Sequence, residues 1–119
     1  MGLEIERRFI VKGDEWKNSI KTSQEFKQGY LTTNEDGWTI RIRIIDNQES
    51  WLTLKHPKEK LTCHEFEYLI PLSDGEELWD LAKYKLSKTR YQLNINNHSW
   101  VVDCFQGENF PLVLAEIEL

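Results

Sequence analysis

The chain of 119 residues has no apolar run long enough to cross a membrane as a helix, which excludes a helical membrane span. Its first residues, Met1-Gly2-Leu3-Glu4-Ile5-Glu6, lack the apolar stretch and cleavage site of a signal peptide, so a cytoplasmic protein is expected. Cysteine is scarce: Cys63 and Cys104 have no CxxC or HxxxH context, and they are read as free thiols rather than a zinc or redox site. There is no block of Lys and Arg, and the net charge is −5, which argues against a nucleic-acid backbone as partner but leaves room for a short, multiply charged ligand. With three Pro and six Gly, and with no repeat or low-complexity tract, nothing separates two units, and one domain over 1–119 is expected.

What is present is alternation. Leu3 to Val11 places Leu3, Ile5, Arg7, Phe9 and Val11 on one face and Glu4, Glu6, Arg8 and Ile10 on the other, the period of a strand. Gly13-Asp14 ends it, and Asp14 is placed to cap a short helix to Lys21. A short strand at Gln28 to Thr32 follows, and Asp36-Gly37 marks a hairpin into a strand at Trp38 to Ile45. Further strands are expected at Glu49 to His56 and Leu61 to Pro71. A helix from the capping-box sequence Ser73-Asp74-Gly75-Glu76 to Leu86 comes next, then strands at Ser87 to Ile95, His98 to Phe105 and Leu112 to Leu119. The count is eight strands and two helices.

Residues two apart on a strand share a face, so the charged pairs of this chain each point to one side of the sheet. The acidic pairs are Glu4/Glu6, Glu65/Glu67 and Glu116/Glu118, with Asp103 alone; the basic ones are Arg41/Arg43 and Lys88/Arg90, with Arg8 and Lys55 alone. A wet outer face of an antiparallel sheet would show the same pattern. Two short helices cannot cover the apolar side of eight strands, however, and curling the sheet into a closed barrel gathers the charges around an interior that can hold a ligand.

Glu4-Ile5-Glu6-Arg7-Arg8 resembles the ExExK signature of the CYTH superfamily, the triphosphate tunnel metalloenzymes. The likeness continues in order through Gly29-Tyr30-Leu31, Arg41/Arg43, Leu52-Thr53-Leu54-Lys55, Glu65/Glu67, Lys88-Thr89-Arg90, Val102-Asp103 and Glu116-Ile117-Glu118, essentially the whole chain. The resemblance implies a mainly β, α+β fold: an eight-stranded antiparallel closed barrel with about two helices. It also implies metal-dependent hydrolysis of a triphosphate with Mg²⁺ or Mn²⁺. Inorganic tripolyphosphate is the expected substrate, because no extra domain or base-recognition feature is visible.

The chemistry agrees with the residue types. Arg and Lys neutralise a polyanion, while hard carboxylate oxygens suit a hard cation. By position in the resemblance, Glu4, Glu6, Glu116 and Glu118 are metal ligands, and Arg8, Arg41, Arg43, Lys55, Lys88 and Arg90 bind substrate. Glu65, Glu67, Asp103 and Arg8 are assigned to catalysis.

The alternatives are a non-catalytic polyphosphate- or nucleotide-binding module and the other family activities: thiamine triphosphatase, nucleoside triphosphatase or adenylate cyclase. Two departures bear on catalysis. Arg8 replaces the usual Lys, a planar fork in place of a mobile ammonium, and family members continue past the strand that here ends at Leu119, so a shortened C-terminus and a homodimer are expected. His56, His64 and His98 are scattered and read as structural, and Trp38, Trp51, Trp79 and Trp100 as packing residues.

Overall fold

Alternating Ile, Val, Thr and aromatic residues suit a pleated, half-buried surface, and they account for most of the structure. The computed structural model describes residues 2–32, 35–60 and 62–118, without the side chains of 2–8, 35 and 118. The strands are β1 (Gly2–Ile10), β2 (Ile20–Tyr30), β3 (Thr39–Ile45), β4 (Glu49–Glu59), β5 (Thr62–Ile70), β6 (Tyr84–Ile95), β7 (His98–Phe105) and β8 (Val113–Glu118). One α-helix, α1 (Leu72–Leu81), lies between β5 and β6. Two hairpins turn on residue pairs in the left-handed region, Asp46-Asn47 (φ 52° and 54°) and Asn96-Asn97 (φ 53° and 63°), conformations that Asn and Asp tolerate.

The pairing order is β1-β5-β4-β3-β2-β6-β7-β8, returning to β1, all antiparallel. The closed barrel expected from the sequence is corrected at β1. Its residues Gly2–Ile5 pair with β5 and Glu6–Ile10 pair with β8, so among the described pairings no residue of β1 is bonded on both sides. The eight-stranded antiparallel sheet curls round on itself, but it is not closed into a barrel by hydrogen bonds. One nine-residue strand passes from one neighbour to the other as the sheet twists.

The second expected helix is also corrected. Asp14 makes no side-chain cap; its carboxylate pairs with Lys17 at 3.2 Å, and only a short 3-10 helix forms at Glu15–Ser19. β2 then begins at Ile20, not Gln28. Its first half is polar and owes its extension to pairing with β6, from Ile20 opposite Leu93 onward, so tertiary pairing overrides local pattern. Similarly, α1 stops at Leu81 instead of Leu86. Ala82 is extended, and the Lys83 N–H donates to the Tyr30 carbonyl at 3.0 Å, which draws Tyr84 to Leu86 into β6. The strand expected to end at His56 runs on through Pro57 to Glu59 in β4, with the register shifting between Pro57 and Glu59.

The apolar side is covered in two places. Ile42 and Ile44 of β3 are fully enclosed, and α1 packs over β3 and β4. Elsewhere Leu93, Val102 and Ala115 form a cluster with Trp16, Tyr91, Trp100 and Val113 against it, the Trp16 and Tyr91 ring centroids lying 5.5 Å apart. The helix approaches closely because Gly75 has no side chain: a Cβ there would collide with the Ser50 side chain, which is fully buried and hydrogen-bonded at 3.1 Å to the carbonyls of Ile70 and Pro71. Gly75→Ala is therefore expected to destabilise the fold by about 1–3 kcal/mol, read from the midpoint of denaturant unfolding. An unchanged midpoint would show that the helix can lift without loss.

Candidate functional site

The strand registers bring the expected basic residues to one face. On β3, Arg43 lies opposite Gln28 and Arg41 opposite Tyr30 of β2; across β2, Lys88 of β6 lies opposite Phe26 and Arg90 opposite Gln24; Arg90 in turn faces Asp103 of β7. Strict alternation sends all of these side chains to the same side of the sheet. They meet over Phe26, which is buried. The Arg43 and Arg90 guanidinium carbons stand 4.6 and 4.8 Å from its ring centroid and the Lys88 ammonium 5.9 Å, so one aromatic ring contacts three cations.

Asp103, at 1% exposure, balances part of that charge. Its Oδ1 accepts from Arg90 Nε at 2.8 Å, and its Oδ2 accepts from Arg90 Nη2 at 2.8 Å and from Lys88 Nζ at 2.7 Å. Burial alone would raise the Asp103 pKa, but the Arg90 hydrogen bonds and the Lys88 and Arg90 charges outweigh it and hold the carboxyl below its ordinary value. Lys88 moves the other way. Burial lowers it most, Asp103 opposes that, and the guanidiniums of Arg90 and Arg43 add to the fall, bringing it to about 8. Burial, with Arg41 and Arg90 beside it, likewise pushes Arg43 down to about 9. Crowded cations of depressed pKa are an electrostatic invitation to an anion.

Arg41 belongs to a second chain of contacts. Its Nη2 donates to Thr53 Oγ1 at 3.3 Å, and the Thr53 hydroxyl donates to Glu67 Oε2 at 3.1 Å; Arg41 and Glu67 themselves are 3.8 Å apart. Among the described residues Arg41 Nε is buried without a hydrogen-bond partner, an orphaned donor that an added acceptor such as a phosphate oxygen would satisfy. One step along β4 and β5, Lys55 pairs with Glu65 at 3.4 Å.

The structure thus gathers Arg41, Arg43, Lys88, Arg90, Asp103 and Glu67, with Lys55 and Glu65 adjoining. Glu116 is half-buried on β8. The side chains of Glu4, Glu6, Arg8 and Glu118 lie outside the described residues, although the backbone places Glu6 opposite Glu118, Arg8 opposite Glu116 and Glu4 opposite Cys63. Sequence reasoning missed Phe26, Gln28 and Thr53, all buried on this face. Extending the alternation of Gln28 and Tyr30 back to Phe26 would have found two of them. Cys63 and Cys104 are free thiols.

A description of the CYTH domain matches residues 2–119. The chain belongs to the CYTH family. This CYTH domain is 38% identical, over all of its length and 76% of the relative's, to an inorganic triphosphatase of Acetivibrio thermocellus. It is 32% identical, over 97% of its length and 75% of the relative's, to an inorganic triphosphatase of Nitrosomonas europaea. Among solved structures it is similar to one described as an inorganic triphosphatase, with a TM-score of 0.68 and 31% identity across 98% of this chain and 75% of that one.

Proposed function

We propose that this protein is a divalent-metal-dependent hydrolase of inorganic triphosphate. Similarity to inorganic triphosphatases along essentially all of this chain carries the reading, and the cluster of Arg43, Lys88 and Arg90 around Phe26, with Arg41 on the same sheet face, supports it, because these are the groups that grip phosphate oxygens. Lys55 and Arg8 extend the set of substrate-binding cations.

Four carboxylates, Glu4, Glu6, Glu116 and Glu118, would hold the cation; their strands β1 and β8 are paired with Glu6 opposite Glu118, and hard oxygen donors fit Mg²⁺ or Mn²⁺. A cation held there would supply charge neutralisation at the phosphoryl group. The chain's own part is to orient the polyanion. Arg41 and Arg43 present guanidinium forks to the phosphoryl oxygens, and Glu65 and Glu67 accept the proton of the attacking water as the phosphoanhydride breaks into pyrophosphate and orthophosphate. Asp103, expected among the catalytic groups, is given a different task here: with both oxygens engaged, it positions Lys88 and Arg90. We place the protein in the cytoplasm, where free thiols such as Cys63 and Cys104 persist.

Orthophosphate release from tripolyphosphate with Mg²⁺ and with Mn²⁺ tests the reading, with Glu4→Ala as the control. Turnover that disappears in the variant is the expected result. Binding by the wild type with no turnover would instead assign a non-catalytic polyphosphate-binding module.

A further inference from the structure

Gln28 is 2% exposed and sits on β2 between two residues of the site. Its Oε1 accepts from Arg43 Nε at 2.9 Å, and its Nε2 donates to Tyr30 Oη at 3.0 Å. The amide orientation is dictated, since an arginine Nε only donates and must be met by the oxygen. Arg43 is thus fixed from two sides: its edge by Gln28 and its face by Phe26, 4.6 Å beneath.

The neighbouring cations are held differently. Lys88 and Arg90 share the carboxylate of Asp103, Lys55 faces that of Glu65, and Arg41, bonded to the Thr53 hydroxyl, lies 3.8 Å from Glu67. Beside Arg43 the chain places an uncharged acceptor instead. A glutamate would occupy the same volume and make a stronger, charge-assisted bond to Nε, so holding the side chain still does not by itself call for glutamine. Glutamine does what glutamate would not: it orients the guanidinium without neutralising it, in a cluster where Arg41 and Arg90 repel that charge more than Glu67 attracts it.

We propose that Gln28 is a positioning and specificity residue, a neutral brace that aims Arg43 at the substrate while leaving its charge to be balanced by phosphate. This rests on the triphosphatase reading for the identity of the anion. The preference follows from Coulomb's law. The benefit of an unneutralised cation grows with the charge of the anion, so Gln28 favours tripolyphosphate over pyrophosphate.

The deciding variant is Gln28→Glu in the full chain. It is expected to fold with an unchanged or higher Tm, because Arg43 gains an ion pair. Its Kd for tripolyphosphate, measured by calorimetry, should rise roughly tenfold, with a smaller rise for pyrophosphate, and KM should rise more than kcat falls. Gln28→Met removes the acceptor without adding charge, and should lower Tm while weakening the two anions by similar factors.

A purely structural Gln28 predicts the opposite order, with Gln28→Glu binding as the wild type does. Unchanged tripolyphosphate affinity in Gln28→Glu, or equal losses for both anions, overturns the proposal. Wild-type turnover reports separately on the triphosphatase reading: binding without turnover would sink that reading and leave the ratio of dissociation constants to judge Gln28. Absence of any tripolyphosphate binding by the wild type would overturn both.

Discussion

Asp103→Ala is expected to lower the stability of the protein by about 3–5 kcal/mol, the range for removing one partner from a buried, hydrogen-bonded charge group. Lys88 and Arg90 would face each other and Arg43 over Phe26 without the carboxylate that accepts three of their hydrogen bonds. Denaturant unfolding at neutral pH measures the loss, and a cost under about 1 kcal/mol would show that the cations reorganise toward water.

The pH dependence has a definite sign. The folded-state pKa of Asp103 is depressed, so its contribution to stability is complete above the ordinary aspartate value near ~3.9 and is lost as pH falls toward the lower folded value. Asp103→Ala should remove this part of the acid sensitivity. Added tripolyphosphate should restore part of the lost stability, because it supplies negative charge to the same cations.

The second large effect concerns Lys88. Its pKa near 8 in the free protein lies below the ordinary lysine value of 10.5, so between these values the folded chain binds fewer protons than the unfolded chain. Stability contributed through this group therefore rises with pH across that window, the reverse of a lysine stabilised by its partner. Binding of a polyanion favours the charged form and raises the pKa, so association above pH 8 must take up a proton. Affinity for tripolyphosphate should accordingly fall by up to tenfold per pH unit from about 8 upward. Calorimetry in two buffers of different ionisation enthalpy would register the proton uptake. In Lys88→Met both the slope and the uptake should be lost between pH 8 and about 9, above which Arg43, itself near 9, contributes its own. A wild-type affinity that stays level to pH 10 would contradict the argument.

Much of the candidate site's arrangement was legible because strand alternation has a period of two and charge is easily seen against it. Arg41, Arg43, Lys88 and Arg90 needed only the right parity, and the registers placed them together. What stayed hidden was neutral or non-local. Gln28 and Thr53 carry no charge to attract notice, and Phe26 fell in a stretch whose polar residues concealed a strand set by its pairing with β6. The end of α1 was likewise decided by Lys83 bonding to Tyr30, far away in sequence, while a helical spacing of apolar residues ran on to Leu86. Closure of the barrel was inferred from strand number, whereas the division of β1 between two neighbours depends on twist and strand length, which parity does not encode.

That division also bears on how the chain folds. Strands β2 to β5 and β6 to β8 are each linked to the next by short connections, so each series can zip from its own turns at small loop-closure cost. β1 has no such neighbour: Ile10 must find Leu114 at the opposite end of the chain, and Ile5 must find Thr62. The slowest search therefore belongs to β1, which is the last strand to join a sheet already formed. Native-state hydrogen exchange would report this as earlier opening at Glu6–Ile10 than along the β2–β6 ladder, and equal protection would argue for a single cooperative closure.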